Sequence, residues 1–464
     1  MKYNYAIFIL AGGKGSRLKS KIIKPLYPIC FEPAIFYVLD SLKYLNAKKY
    51  IIGCSDIEEP LKKDFPEISF IKQKDNGYGT SWALLSAENE IKKYEEVIIL
   101  QSDDILINQK FMSKFSQKIN SKENYICYSK EIEQKGDGII TFFNHFVSFS
   151  SKSKKTNIGR YIFNVNDLLQ ALHKTPLHDE EYRLTDTILL LKNKIKTFFT
   201  KETFINMNTI SDVKKAEDII QQRINNNFIK NGVFIEFPNL TKISPLAQID
   251  TGSRILGVCK IIKNTKIAEN CVINNSNIMD SVISSNVNIL FSFVEHAIIK
   301  TDVKIGPFVN IHSNCILQEN SIIGNFTEIK NTIIGKKSKV KHLSYIGDST
   351  IGDNVNIGCG TITANYDGKN KNHTEICDNV FIGCNSTIIA PVTINENSMI
   401  AAGSTITSNV PKNTLAFGRS RQLNLEGRIK NYAKKLRPIH IICKSRTRKK
   451  SCSRFRNGII SSFC

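Results

Sequence analysis

The sequence predicts two folds in one chain: an α/β, Rossmann-like domain with a mostly parallel sheet, then a parallel β-helix of hexapeptide repeats. Three observations predict them. Up to about residue 230, short apolar runs alternate with amphipathic stretches. Beyond about residue 240, one large aliphatic recurs at every sixth position. At 464 residues the chain is also too long for a single core. The expected organisation is residues 1–225 for the first domain, 226–240 for a linker, 241–420 for the β-helix and 421–464 for a tail.

In the first half, YAIFILAGG, KYIIGCS, ISFIKQ and EEVIILQSDD are short apolar runs, all but ISFIKQ closed by Gly, Ser or Asp. AIFYVLDSLKYL, DIEEPLKKDF and TSWALLSAENEIKKY between them read as helices. This alternation indicates βαβ units, whose ligands sit at the carboxyl ends of the strands. SDVKKAEDIIQQRINNNFIKNG reads as a helix leading out of the domain, stopped by Asn231 and Gly232.

In the second half, Ile243, Ile249, Ile255, Ile261, Ile267 and Ile273 stand six apart, as do Ile305, Ile311, Leu317, Ile323 and Ile329. Phase-shifted blocks continue to Ile406. Neither an α-helix nor a flat strand explains this period, because each would scatter such positions. Short strands joined by corners of Gly, Asn, Asp or Ser do explain it, three to a triangular coil. Stacking the coils would bury each aliphatic for about 2 kcal/mol. ANYDGKNKNH, residues 364–373, breaks the pattern and reads as a loop thrown out between Ile357 and Ile376.

Composition bounds the function. With 41% hydrophobic and 23% charged residues and no apolar run near 18, the chain has no membrane span. Twelve cysteines scattered singly match no zinc or redox spacing and predict small buried side chains in a reducing, cytoplasmic setting. Of the net charge of +22, +13 lies between Arg419 and Cys464. That tail reads as a solvated basic extension, able to touch polyanions non-specifically; the mildly basic body gives no reason to expect nucleic acid.

The chemistry begins at LAGGKGSRLKSKIIKP, Leu10 to Pro25. Backbone N–H groups of a Gly-rich turn approach phosphate closely, and Lys14, Arg17 and Lys24 supply charge for a triphosphate. The G-x-G-x-R-x(6)-K-P spacing is neither a P-loop nor a dinucleotide fingerprint. It resembles the signature of sugar-1-phosphate nucleotidyltransferases. Together with HLSYIGD, NIGCGTITANYDGKNK and VFIGCNSTIIAPVTI, the chain from about Tyr5 to Arg428 resembles the bifunctional N-acetylglucosamine-1-phosphate uridyltransferase/glucosamine-1-phosphate N-acetyltransferases. The resemblance implies a nucleotidyltransferase domain, then a left-handed β-helix acetyltransferase domain. It implies UTP and acetyl-CoA as substrates, Mg²⁺ as cofactor, and homotrimers with acetyl-transfer sites between subunits.

Carried over residue by residue, the resemblance assigns Leu10, Gly13, Lys14, Lys24, Gln73, Gly79 and Thr80 to the nucleotide, with Arg17 and Lys24 catalytic. It assigns Asp103 and Asn208 to Mg²⁺, and Gly138 and Asn157 to the acceptor sugar. One hard cation held by a carboxylate and an amide, its shell completed by phosphates, suits the meeting of two anions. Taken alone, Asp103 could be a turn residue and Asn208 the cap of the following helix. Two segments depart from the family pattern: GTSWA for G-T-G-H-A, and Ser102-Asp103-Asp104-Ile105 for Gly-Asp-Val-Pro. FVSFSSKSK also lacks the family's acid.

In the second half, acetyl transfer to an amine needs a base, and His342 matches the family's. It lies 23 residues before Asn365, so the spacing predicts that the two face each other across stacked coils. The resemblance assigns Lys330, Tyr345, Asn356 and Lys371 to glucosamine 1-phosphate. Cys359, Asn365, Tyr366, Cys384, Ala402 and Arg419 go to acetyl-CoA. His312 stands where the family has an Arg on the sugar phosphate, which predicts weaker phosphate binding or a substitute cation. Two other readings share these domain types: a nucleotidyltransferase of altered specificity with one activity, and a non-catalytic assembly subunit.

Overall fold

The computed structural model describes residues 4–13, 15–129, 140–143, 146–149, 156–191 and 195–428, with backbone alone for 140–143 and 146–149. Lys14 and Gly138 lie outside the described residues. Residues up to Gly418 form one compact unit, and Arg419 begins a second.

Seven strands build the first sheet: β1 (Tyr5–Leu10), β2 (Lys48–Gly53), β3 (Ser69–Lys72), β4 (Glu96–Gln101), β5 (Asn124–Ser129), β6 (Thr156–Asn164) and β7 (Ile195–Thr200). Their order is β7-β5-β6-β4-β1-β2-β3, with β6 antiparallel to both neighbours and every other pair parallel. The interior of β1 and β4 is buried on both faces, so these strands read as continuous apolar runs. The chain order reverses beside β1, and the crevice at the carboxyl ends of β1 and β4 is the switch point where such sheets hold ligands. The ladder continues just past the strands, where Ser102 N–H donates to Leu10 O at 3.0 Å and Ala11 N–H to Ile52 O at 2.8 Å. The Gly-rich turn and the Asp103 loop are thereby set side by side.

Helices α1 (Ala34–Ser41), α2 (Thr80–Ser86) and α3 (Gln109–Ser116) cover the sheet. Helix α4 (Ile210–Lys230) starts with a capping box in which the Thr209 hydroxyl accepts from Asp212 N–H and the Asp212 carboxylate from Thr209 N–H. Thr209, not Asn208, is therefore the cap, and the Asn208 amide is left for other work. The helix ends where Asn231 and Gly232 (φ +87°) turn the chain.

The β-helix begins earlier than its repeats suggest. Phe234–Ile235 already pairs with Arg254–Leu256, inside the stretch expected to be a linker. Helix α4 seals the junction: Gln221 donates to Ile243 O at 3.0 Å, and Asn225 donates to Thr241 O at 3.0 Å and Pro238 O at 2.6 Å. The hexad pattern could not reveal this, because the first coil is closed by helix side chains rather than by a further repeat.

Each coil contributes one strand to each of three faces. One face, here the first, stacks Ile235, Ile255, Ile273, Ile289, Ile305, Ile323, Val340, Ile357, Ile382 and Ile400. These inward aliphatics and those of the other faces form one continuous core. The stack does not pause where the strict hexads do: Ile273, Ile278, Ile283, Ile289, Val294, Ile299 and Ile305 are all buried, some steps shortened to five residues. Single left-handed residues such as Asn275, Asp280 and His296 turn those shorter corners. Corners also hold bulky residues, contrary to the expected small ones. Phe291, Phe308 and Phe326 have φ of +44°, +57° and +58°, and successive rings stack at 5.8 and 5.6 Å. That ring-on-ring contact offsets a backbone conformation costly for such residues. Among the described residues no helix is long and apolar enough to cross a membrane.

Candidate active sites

At the switch point a pocket of about 130 Å³ gathers Leu10, Gly13, Lys24, Gln73, Gly79, Thr80 and Asp103. Gln73 rests over Gly12, its Oε1 2.0 Å from where a Cβ would stand, so a side chain there would displace the Gln73 amide. Gly79, at φ +114°, would put a Cβ 2.4 Å from Tyr182 O. The Thr80 hydroxyl accepts from Leu184 N–H at 2.8 Å, so it anchors the loop as well as facing the pocket. Trp82 braces the same loop: its ring stacks on Tyr182 at 5.4 Å and its Nε1–H donates to Lys74 O at 3.0 Å. This is what the departure to GTSWA builds, with Ser81 bonded to Thr187 at 2.6 Å.

The Lys24 ammonium forms an ion pair with Asp103 and a 3.3 Å hydrogen bond to Asn208 Oδ1. A cation thus already sits between the two side chains assigned to Mg²⁺. One carboxylate and one amide oxygen are donors of the hard type that ion prefers, so the residues fit it. Arg17 is exposed on a short turn at Ser16–Leu18 and does not line the pocket. Asn157 also lies outside the lining; its amide bonds Tyr161 Oη at 2.8 Å and Gly159 N–H at 3.0 Å within a bulge of β6. Glu181, Tyr78 and Gln101 line the pocket but were missed. Tyr78 enters beside its neighbour Gly79, Gln101 at the end of β4, and Glu181 only with the return of segment 178–183.

On the β-helix, Lys330, Lys371, His312, Asn331, Glu295 and Asp348 line a second cavity of about 430 Å³. Two lysines in one cavity are the cations expected for a sugar phosphate. His312 brings an imidazole held between carboxylates, with Nε2 2.6 Å from Glu328 and Nδ1 3.7 Å from Glu295. At the next corner, Asp348 receives Asn331 at 2.6 Å and Asn365, and Asn365 Nδ2 stands 3.4 Å from Tyr345 Oη. The polar excursion is a stapled hairpin: Tyr366 bridges Lys371, and Asp367 accepts from Lys369 N–H at 2.8 Å, Asn370 N–H at 2.7 Å and Asn372 at 3.0 Å. Those donors hold the Asp367 carboxyl below its ordinary range.

His342 occupies a different corner. It is exposed, and its Nδ1 lies 2.7 Å from Asn325 Oδ1; in the neutral imidazole that acceptor favours the Nδ1–H tautomer, which puts the lone pair on Nε2. The register of the first face, Ile323↔Val340↔Ile357↔Ile382↔Ile400, stacks Asn325, His342, Cys359, Cys384 and Ala402 in one column. Within one prism His342 and Asn365 stand at different corners. The strand from Ser344 to Gly347 separates their corners by roughly 10 Å. Sequence spacing counts coils but not which corner of the triangle a residue reaches. Asn356 stands on the first face and Tyr345 on the second, so one prism spreads these groups over two faces. Arg419 belongs to the second unit.

The MobA-like NTP transferase domain model matches residues 7–183, and the bacterial transferase hexapeptide model matches 296–331 and 373–408. Curated relatives then cover both halves together. "Bifunctional protein GlmU" of Caldicellulosiruptor saccharolyticus is 37% identical, over 92% of this chain and 97% of its own length. The chain belongs to the bifunctional GlmU family. Relatives of the same name from Thermoanaerobacter pseudethanolicus and Streptococcus thermophilus are 35% and 33% identical, over 92% and 91% of the chain. Membership of the GlmU family accounts for both cavities lying in one chain, and for their different chemistry.

Proposed function

We propose that the protein makes UDP-N-acetylglucosamine in two steps, one in each domain. It acetylates glucosamine 1-phosphate with acetyl-CoA, then joins the product to UMP from UTP and releases pyrophosphate. The observation that carries this is the coexistence of two chemically distinct sites. Lys24, Asp103 and Asn208 cluster at the strand ends, and a histidine with a free Nε2 sits on a rigid prism.

In the acetyl-transfer site His342 Nε2 takes a proton from the substrate amine as its nitrogen attacks the thioester, and coenzyme A leaves as the thiolate. Asn325 holds the tautomer that permits this. The stapled hairpin presents Asn365, Tyr366 and Lys371, while Lys330 and Lys371 meet the sugar phosphate and Tyr345 and Asn356 the sugar. Cys359, Cys384 and Ala402 line a small-residue column for acetyl-CoA, and the family resemblance alone assigns Arg419 to the same ligand. Because these groups lie on different faces, a complete site needs a second copy of the chain, and a homotrimer is the assembly we infer.

In the nucleotidyl-transfer site Leu10, Gly13, Lys14, Gln73, Gly79 and Thr80 hold UTP. Lys24 and Arg17 neutralise charge as the acceptor phosphate attacks the α-phosphorus. Gly138 and Asn157 orient the sugar. Mg²⁺, held by Asp103 and Asn208, would supply Lewis-acid stabilisation of the phosphates. The dispersed free thiols fit a cytoplasmic setting.

Purified protein given each half-reaction separately tests the proposal. Both should turn over; activity in one alone would leave a single-function enzyme, and in neither a binding subunit.

A further inference from the structure

Asp103 and Asp104 are neighbours on one loop, yet their carboxylates part company. Asp103 opens on the nucleotide pocket and meets Lys24, whereas the Asp104 side chain is turned inward and 1% exposed. Its partner is Arg160 on β6, whose side chain is 0% exposed. Arg160 Nε and Nη2 donate to the two carboxylate oxygens at 2.5 and 2.9 Å, and the guanidinium lies 4.3 Å from the centre of the Phe111 ring on α3. A two-pronged contact of this kind fixes direction as well as distance.

Stability does not explain it. Removing both charges from water costs about what their attraction returns, so two apolar side chains would hold the fold equally well. Arg160 Nη1 is moreover buried with no hydrogen-bond partner among the described residues. Placement does explain it. Asp104 follows Asp103 directly, and Arg160 stands three residues after Asn157 on the strand that runs antiparallel beside β4. Gly159, at φ +74°, brings that strand so close that a Cβ would lie 2.9 Å from Gln101 Cγ. The far end of the loop is pinned separately, by Arg223 of α4 donating to Leu106 O at 2.8 Å.

We infer that the Asp104–Arg160 pair is a positioning device for nucleotidyl transfer: it aims Asp103 at the phosphates and holds the Asn157 strand at a set distance from it. The inference rests on the functional reading above and deepens it. Neither residue touches substrate; each acts through its neighbour.

The test uses the full chain and four variants: Arg160→Met, Arg160→Lys, Asp104→Asn and the apolar pair Asp104→Val/Arg160→Met. The apolar pair keeps the burial balanced, so it guards against simple misfolding. Acetyl transfer by the same chain serves as the internal control of folding. The expected result for the apolar pair is unchanged acetyl transfer, a nucleotidyl-transfer kcat lowered about 100-fold and a KM for UTP within about twofold of wild type. Arg160→Lys, which keeps charge but not the fork, should not rescue. Trp82 is the chain's one tryptophan and braces the loop that brings Gly79 and Thr80 to the pocket, so its fluorescence is the probe of UTP binding without turnover. In the variants the Mg²⁺ concentration for half-maximal response should rise about 10-fold. Wild-type kcat in the apolar pair, or parallel loss of both activities, would overturn the inference. A wild-type protein that gives no Mg²⁺-dependent response to UTP would instead sink the functional reading beneath it.

Discussion

His342 shows how much one hydrogen bond decides. A neutral imidazole could carry its proton on either nitrogen, but the Asn325 carbonyl accepts from Nδ1–H, so the tautomer it favours has its lone pair on Nε2. Replacing His342 with Ala should lower acetyl transfer, read as free coenzyme A thiol, by about 10²- to 10⁴-fold and leave nucleotidyl transfer intact. Equal rates in wild type and variant would remove the base assignment. The cysteines of the same molecule divide by exposure. Burial pushes Cys30 and Cys127 up to about 12, whereas Cys384 is exposed in the His342 column. Thiol labelling of native protein, mapped by peptide mass, should reach Cys384 first among the described cysteines and spare Cys30 and Cys127. Acetyl-CoA should protect Cys384; unchanged labelling would place the cofactor arm elsewhere.

Among the elements, the loop from Gln73 to Thr80 owes its shape to α2 behind it. The Trp82 indole closes on Gly77, where a Cβ would fall 2.4 Å from the ring, and its N–H holds Lys74 O. Trp82→Phe keeps the stack on Tyr182 and loses the hydrogen bond, worth about 1 kcal/mol. A rise of a few-fold in KM for UTP at steady kcat is therefore expected in initial-rate assays, and unchanged KM would show that the loop holds itself. The flap on the β-helix answers to the same logic. Its sequence looked like an interruption, but Asp367 gathers three donors into a hairpin that stands on the coil. Asp367→Ala should raise KM for glucosamine 1-phosphate and spare the nucleotidyl half.

At the scale of the whole molecule, the dispersal of Asn356, Tyr345, His342 and Asn365 over two faces and their corners predicts an assembly. Sedimentation equilibrium should return three chains per particle, and a monomer with full acetyl transfer would contradict the shared site. An Ile346→Ala change in the prism core should cost about 2–5 kcal/mol, measured by denaturant unfolding, because the stacked coils cannot collapse around the gap. The prism itself was legible in the sequence, since a six-residue period is a local property repeated many times and needs no distant partner to declare it. So were the alternating strands of the first half; of its pocket, the family resemblance named Leu10, Gly13, Lys24, Gln73, Gly79, Thr80 and Asp103 but not Tyr78, Gln101 or Glu181. Tertiary structure alone decided what depends on closure. Coils with five-residue steps hold register only because their neighbours do, and the strand pairing alone assigns His342 and Asn365 to particular corners. Asp104 and Arg160, 56 residues apart, carry no signal of each other until β6 is laid beside β4. Periodicity is written along the chain, whereas a contact across it exists only once the sheet has closed.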